Sequence, residues 1–141
     1  MEQPSDHDRE GRTAVDLQNS SEEPVYGVVV GLVLVQGTAP HSLEEWLTRP
    51  GATPEMFPRG PITTISTLPN GLFRTWIRGY GWHRMLSGRL GAEIAFTDRN
   101  ASHWIRRSSG QLEELTEEPI AYFEKLGMHG PHDLQTPERI G

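Results

Sequence analysis

The chain contains no cysteine. That excludes a disulfide framework, a thiolate metal site and a cysteine nucleophile, and it fits a reducing compartment. Lysine is nearly missing as well: of 13 basic residues only Lys125 is not an arginine. The longest apolar stretch, Val25 to Val35, covers 11 residues and includes two glycines, against roughly 20 for a membrane-crossing helix. It reads as a buried strand, and no membrane insertion is expected. The first 24 residues are polar and mostly acidic, so no secretory signal is visible and a cytoplasmic location is expected. A Walker-type phosphate loop, a dinucleotide glycine motif and a Gly-x-Ser-x-Gly elbow are also missing.

What is present suits one small domain with tails. The 141 residues include 15 glycines and 11 prolines, and 35% are hydrophobic. Strand-forming residues gather in the middle, between polar ends. Charge is segregated. Residues 72–107 hold seven arginines against Glu93 and Asp98, whereas residues 1–24 and 108–141 each hold seven acidic groups against two basic ones. The tails can therefore neutralise a basic face, although each exposed pair contributes less than ~1 kcal/mol.

Alternation of apolar and polar residues predicts strands at Thr13–Gln18, Val25–Val35, Ile62–Leu68, Leu72–Arg78, Ala92–Phe96, His103–Arg107 and Gln111–Leu115. The run from Val25 is apolar on both sides, which places it centrally, and Gly31 is the expected bulge within it. Ser42-Leu43-Glu44-Glu45 is a capping box for a short helix in the long connection of residues 36–61. Pro69-Asn70-Gly71 is a hairpin turn, and Gly79 to Gly91 reads as a glycine-punctuated loop. Pro119 opens a second short helix whose face is Ile120, Phe123 and Leu126, with Gly127 at its end. The last 14 residues read as irregular. The predicted organisation is a disordered acidic tail over 1–12, a sandwich over 13–115, and a helix with an irregular tail over 116–141. Strands with regular turns and no long amphipathic helices make a single antiparallel two-sheet β-sandwich of immunoglobulin-like type the expected fold.

Two stretches carry a resemblance. Asn19-Ser20-Ser21-x-x-Pro24-Val25-Tyr26 and Phe96-x-Asp98, Trp104-x-Arg106, Gly110-x-Leu112 together resemble an immunoglobulin- or fibronectin-like β-sandwich module of uncharacterised actinobacterial proteins, over residues 13–115. In this reading Phe96 and Trp104 face each other across a hairpin, and Asp98 closes its loop by bonding the backbone two residues on. Arg106 pairs across the strand or stacks on a ring, and Gly110 takes a positive φ. The resemblance implies an attachment or interaction part with no common catalytic residue.

The most suggestive residues for function are Trp76, Arg78, Tyr80, Trp82, His83 and Arg84, an aromatic and arginine set framed by glycines. Such residue types dominate binding hot spots. They predict a non-catalytic module that captures a partner protein. The alternative is a small-ligand or carbohydrate-binding sandwich that uses the same rings, and a histidine-dependent enzyme comes third. For catalysis, His83 or His103 as base and Ser87 or Ser102 as nucleophile have nothing to orient them. His129, His132 and Asp133 are too few and too poorly braced for zinc. No cofactor or metal is expected. Arg74, Trp76 and Arg78 have the local pattern of a nucleic-acid stacking platform, but the net charge of −6 argues against that partner. A homo-oligomer through edge strands stays open.

Overall fold

Strand-forming side chains carry most of the described residues into sheet. The computed structural model describes residues 12–35, 44, 62–78, 89–128 and 132–141. In chain order the described elements are β1 (Arg12–Asn19), β2 (Val25–Val35), β3 (Ile62–Leu68), β4 (Gly71–Arg78), β5 (Arg89–Thr97), β6 (His103–Arg106), β7 (Leu112–Leu115), helix α1 (Pro119–Lys125), β8 (Asp133–Leu134) and β9 (Glu138–Arg139). They form two sheets, β1-β4-β9 and β7-β6-β5-β2-β3-β8. Every pairing is antiparallel except that of β8 on β3. The expected two-sheet sandwich is therefore found, with its own chain path. An immunoglobulin domain joins its first, second, fourth and fifth strands in one sheet. Here the second and fifth sit with the third, sixth and seventh.

β2 explains the layering. Val28, Val30 and Leu32 point into a cluster with Leu17, Ile65, Leu68, Phe73 and Ile77, between the two sheets. Val29 and Val33 point the other way, into a cluster with Ile62, Ala95, Ile105, Tyr122, Phe123 and Met128, beneath α1. The large sheet is thus covered on both faces, by the small sheet and by the helix. A strand covered on both faces needs apolar residues at consecutive positions, which is what the valine-rich run supplies.

The bulge in β2 lies at Gly27 and not, as expected, at Gly31. Tyr26 pairs with Thr97 and Val29 with Ala95, so β2 holds one residue more than β5 across that interval. Gly27 has φ +54°, a left-handed backbone that glycine adopts without steric cost. Gly31 stays in regular register, opposite Ile62 on one side and Glu93 on the other. The bulge has a consequence for the site. Without it, Tyr26 would share the inward face of Val28 and Val30; the extra residue turns it to the helix side.

The chain changes sheet between β1 and β2, and again between β3 and β4. Two asparagines fasten these corners together. Asn19 Nδ2 donates to the carbonyls of Glu23 (2.9 Å) and Leu68 (3.0 Å), while its Oδ1 accepts from the Ser21 amide and hydroxyl. Asn70 Nδ2 donates to the carbonyls of Asn19 and Ser21. Asn19 is buried, so it serves as a structural bridge.

Turn chemistry follows the sequence closely. Phe96 is opposite Trp104 in the β5–β6 hairpin. Asp98 Oδ1 accepts from the amides of Asn100 and Ser102, and Oδ2 accepts from the Trp104 indole at 3.0 Å. The Trp104 bond, then those to Ser102 and Asn100, hold the Asp98 carboxyl below the usual range. Gly110 has φ +94° and its carbonyl accepts from Arg106. Helix α1 starts at Pro119 and ends in a Schellman motif: Gly127 (φ +108°) bonds the Glu124 carbonyl and Met128 bonds the Phe123 carbonyl.

Two expectations need correction at their boundaries. The loop predicted to run to Gly91 already enters β5 at Arg89. The tail read as irregular carries β8 on the edge of the large sheet and β9 on the edge of the small one. Between them Gln135 reaches the free side of β4: its Oε1 accepts from the Thr75 hydroxyl and the Trp76 amide, and its Nε2 donates to the Trp76 carbonyl. The tail therefore straps one side of the sandwich and covers the strand edges there. Pairing that depends on two residues per strand leaves no periodic signal in sequence. The expected acidic tail lies outside the described residues, except that Arg12 opens β1. The expected helix after Ser42 also lies outside them, except for Glu44. Among the described residues no helix is long and apolar enough to cross a membrane.

Candidate functional site

The six residues singled out from sequence are only partly placed. Trp76 lies on β4 opposite Ala14. It alternates with the buried Phe73, Thr75 and Ile77, so its half-buried ring belongs to the outer face of the small sheet. Arg78 ends the same strand opposite Arg12. On that face Arg74 and Asp16 form a two-bond ion pair (2.8 and 3.2 Å), and the hydrogen bonds from Arg74 hold the Asp16 carboxyl low. Tyr80, Trp82, His83 and Arg84, with Ser87, lie outside the described residues.

A different place has the geometry of a site. A cavity of about 650 Å³ opens on the helix side of the large sheet, beside the first turn of α1. Its sheet wall is Gly27, Val28 and Val29 of β2 with Thr64 and Ile65 of β3. Thr97 and His103 close one end, Pro119 and Ile120 the top, and His132 and Leu134 the side toward β8. The bulge builds this wall. A Cβ placed on Gly27 would meet only Thr97 Oγ1, at 4.0 Å. Tyr26 (42% exposed) and Leu134 (69%) stand at the cavity, and they are two of the four exposed large hydrophobic residues in the described structure. Loose apolar surface gathered at one concavity marks a binding place.

The polar groups of the cavity are few and mostly fixed. Thr97 Oγ1 lies 2.8 Å from His103 Nδ1. The Thr64 hydroxyl donates to the Asp133 carbonyl at 2.6 Å. His132 Nε2 sits 3.3 Å from Glu124 Oε2; because an ionised carboxylate only accepts, that nitrogen carries the proton. A hydroxyl against an imidazole is half of a nucleophile–base pair. The other half, a group that orients the second ring nitrogen, has no counterpart at His103 among the described residues. Ser102 offers its amide to Asp98 and takes no part. Among the described residues no three His, Cys, Asp or Glu side chains converge as a metal site. His132 faces Glu124, Asp133 is in β8, and His129 lies outside.

A second cluster of charge sits against Tyr122 of α1. Arg107 reaches Glu93 (3.3 Å), Glu113 (3.1 Å) and Glu44 (3.6 Å), and stacks over the Tyr122 ring at 5.6 Å. Burial works against its positive charge, but the Glu113 carboxylate, then Tyr122 and Glu93, more than offset that, so its pKa is raised. Burial pushes the Tyr122 phenol up to about 12, with Arg107 opposing. This cluster ties sheet, helix and the connection at Glu44 into one body.

The residues of the cavity were not legible as a site in sequence. They come from β2, β3, β5, β6, α1 and β8, with at most a few from each, and nothing in sequence brings them together. The one local signal was Tyr26-Gly27, an aromatic and a glycine inside a valine run. Compared with known protein families, curated proteins and solved structures, the chain matches none.

Proposed function

We propose that this protein is a non-catalytic binding domain whose cavity beside α1 takes a small, mainly apolar ligand. The observation that carries the reading is the cavity itself. Its volume of about 650 Å³ is that of small-molecule sites, roughly 300–1,000 Å³. Val, Ile, Pro and Leu supply six of its 14 lining residues and its exposed surface is mainly apolar, while Thr, His, Glu and Tyr side chains supply polar groups that can orient a ligand. A protein partner at Trp76 and Arg74 is the second reading, favoured by a half-exposed indole on a charged outer face. It stands second because most of the loop that prompted it lies outside the described residues.

Titration of the intact chain with the uncharged dye Nile red tests the first reading. Saturable fluorescence at one site and a raised melting midpoint are expected, since a ligand that binds only the folded state must stabilise it. Tyr26→Ala should weaken binding about fivefold, the effect of removing one ring contact, and leave the midpoint nearly unchanged because the ring is already exposed. Trp76→Ala should leave dye binding alone. Non-saturable fluorescence with an unmoved midpoint would count against the cavity, and loss of dye binding in Trp76→Ala would move the site to the outer face.

A further inference from the structure

We infer that the ligand of this cavity carries a positively charged nitrogen at one end of its apolar body; this deepens the cavity reading and rests on it. Neither lysine nor arginine lines the cavity among the described residues, and the one carboxylate that does is Glu118. Glu118 occupies the N-cap position of α1 yet makes no side-chain capping bond. Among the described residues its carboxylate has no charged partner, and it stands exposed at the cavity. Tyr26 supplies an exposed ring at the same cavity, and an aromatic face attracts ammonium groups.

The other acidic groups nearby are already engaged. Glu124 is already engaged with His132, and Asp98 lies close enough to His103 for the two to interact electrostatically. The Thr64 hydroxyl gives its proton to a backbone carbonyl, so any second contact it makes is as an acceptor, suited to an N–H donor. A carboxylate or phosphate head would instead face Glu118 with no fixed cation in the lining to pair with. An amphiphilic amine satisfies Glu118 and Tyr26 together and lays its hydrocarbon on Val29, Ile120 and Leu134.

Three amphiphiles of one chain length test the assignment: octylammonium, octanol and octanoate, each displacing Nile red below its micelle-forming concentration at pH 8. Octylammonium should displace the dye at about fivefold lower concentration than octanol, the sum of one exposed ion pair and one cation–π contact, with octanoate weakest. In Glu118→Gln the gap between octylammonium and octanol should close to within about twofold with the melting midpoint unchanged. Octanoate binding as well as octylammonium, or a gap that persists in Glu118→Gln, overturns the charge assignment and leaves the cavity reading standing. Failure of Nile red itself to bind overturns both.

Discussion

Replacing Arg107 by methionine is expected to lower the unfolding free energy by about 3–5 kcal/mol, the usual cost of removing one partner from a buried ion pair. The Arg107 side chain is 10% exposed and that of Glu93 is 0% exposed. Glu113 and Glu44 are 39% and 48% exposed, so water can solvate them when the guanidinium is gone. Glu93 is shut off from water. Adding Glu93→Leu should restore much of the loss, because a matched apolar pair avoids the buried charge. Urea unfolding of the two single variants and the double variant measures the coupling. A loss below about 1 kcal/mol in Arg107→Met would mean that Arg107 is not what satisfies the buried Glu93 carboxylate.

Phe123→Ala is the second large effect, about 3–5 kcal/mol for a fully buried ring. Phe123 has no exposed surface, packs edge-on against Tyr122 at 5.1 Å, and accepts the closing bond of the helix from Met128. It is the main contact that seats α1 on the sheet. Because Pro119 and Ile120 of that helix form the top of the cavity, Nile red affinity should fall together with the melting midpoint. Phe123→Leu, which keeps most of the volume, should give a smaller loss of both. A variant that is strongly destabilised but binds dye as the parent does would separate the helix from the site.

These two residues also mark how far sequence reading reaches. Phe123 was legible, because Ile120, Phe123 and Leu126 repeat at helical spacing between Pro119 and Gly127. The bounds of β3, the Phe96–Trp104 pair, the Asp98 loop and the positive φ at Gly110 were legible for the same reason: the forces behind them act within a few residues of chain. The Arg107–Glu93 pair was hidden. In sequence each is one more charge in a basic stretch, and only the alternation of β5, which puts Glu93 on the face of Ala95 beneath α1, decides that the carboxylate is buried. The bulge was assigned to the wrong glycine because both glycines interrupt the same apolar run, and pairing with β5 selects between them. The cavity was hidden most completely. It is a gap left by a bulge, a helix start and a tail strap, and gaps have no residues of their own.

Whether that gap is a binding site is tested most directly by amide shift mapping of the full chain by NMR during octylammonium titration. Saturable shifts concentrated at Tyr26, Gly27, Thr97, His103, Ile120 and Leu134 are the predicted result. Shifts confined to the outer face around Arg74 and Trp76, or none that saturate, would contradict it.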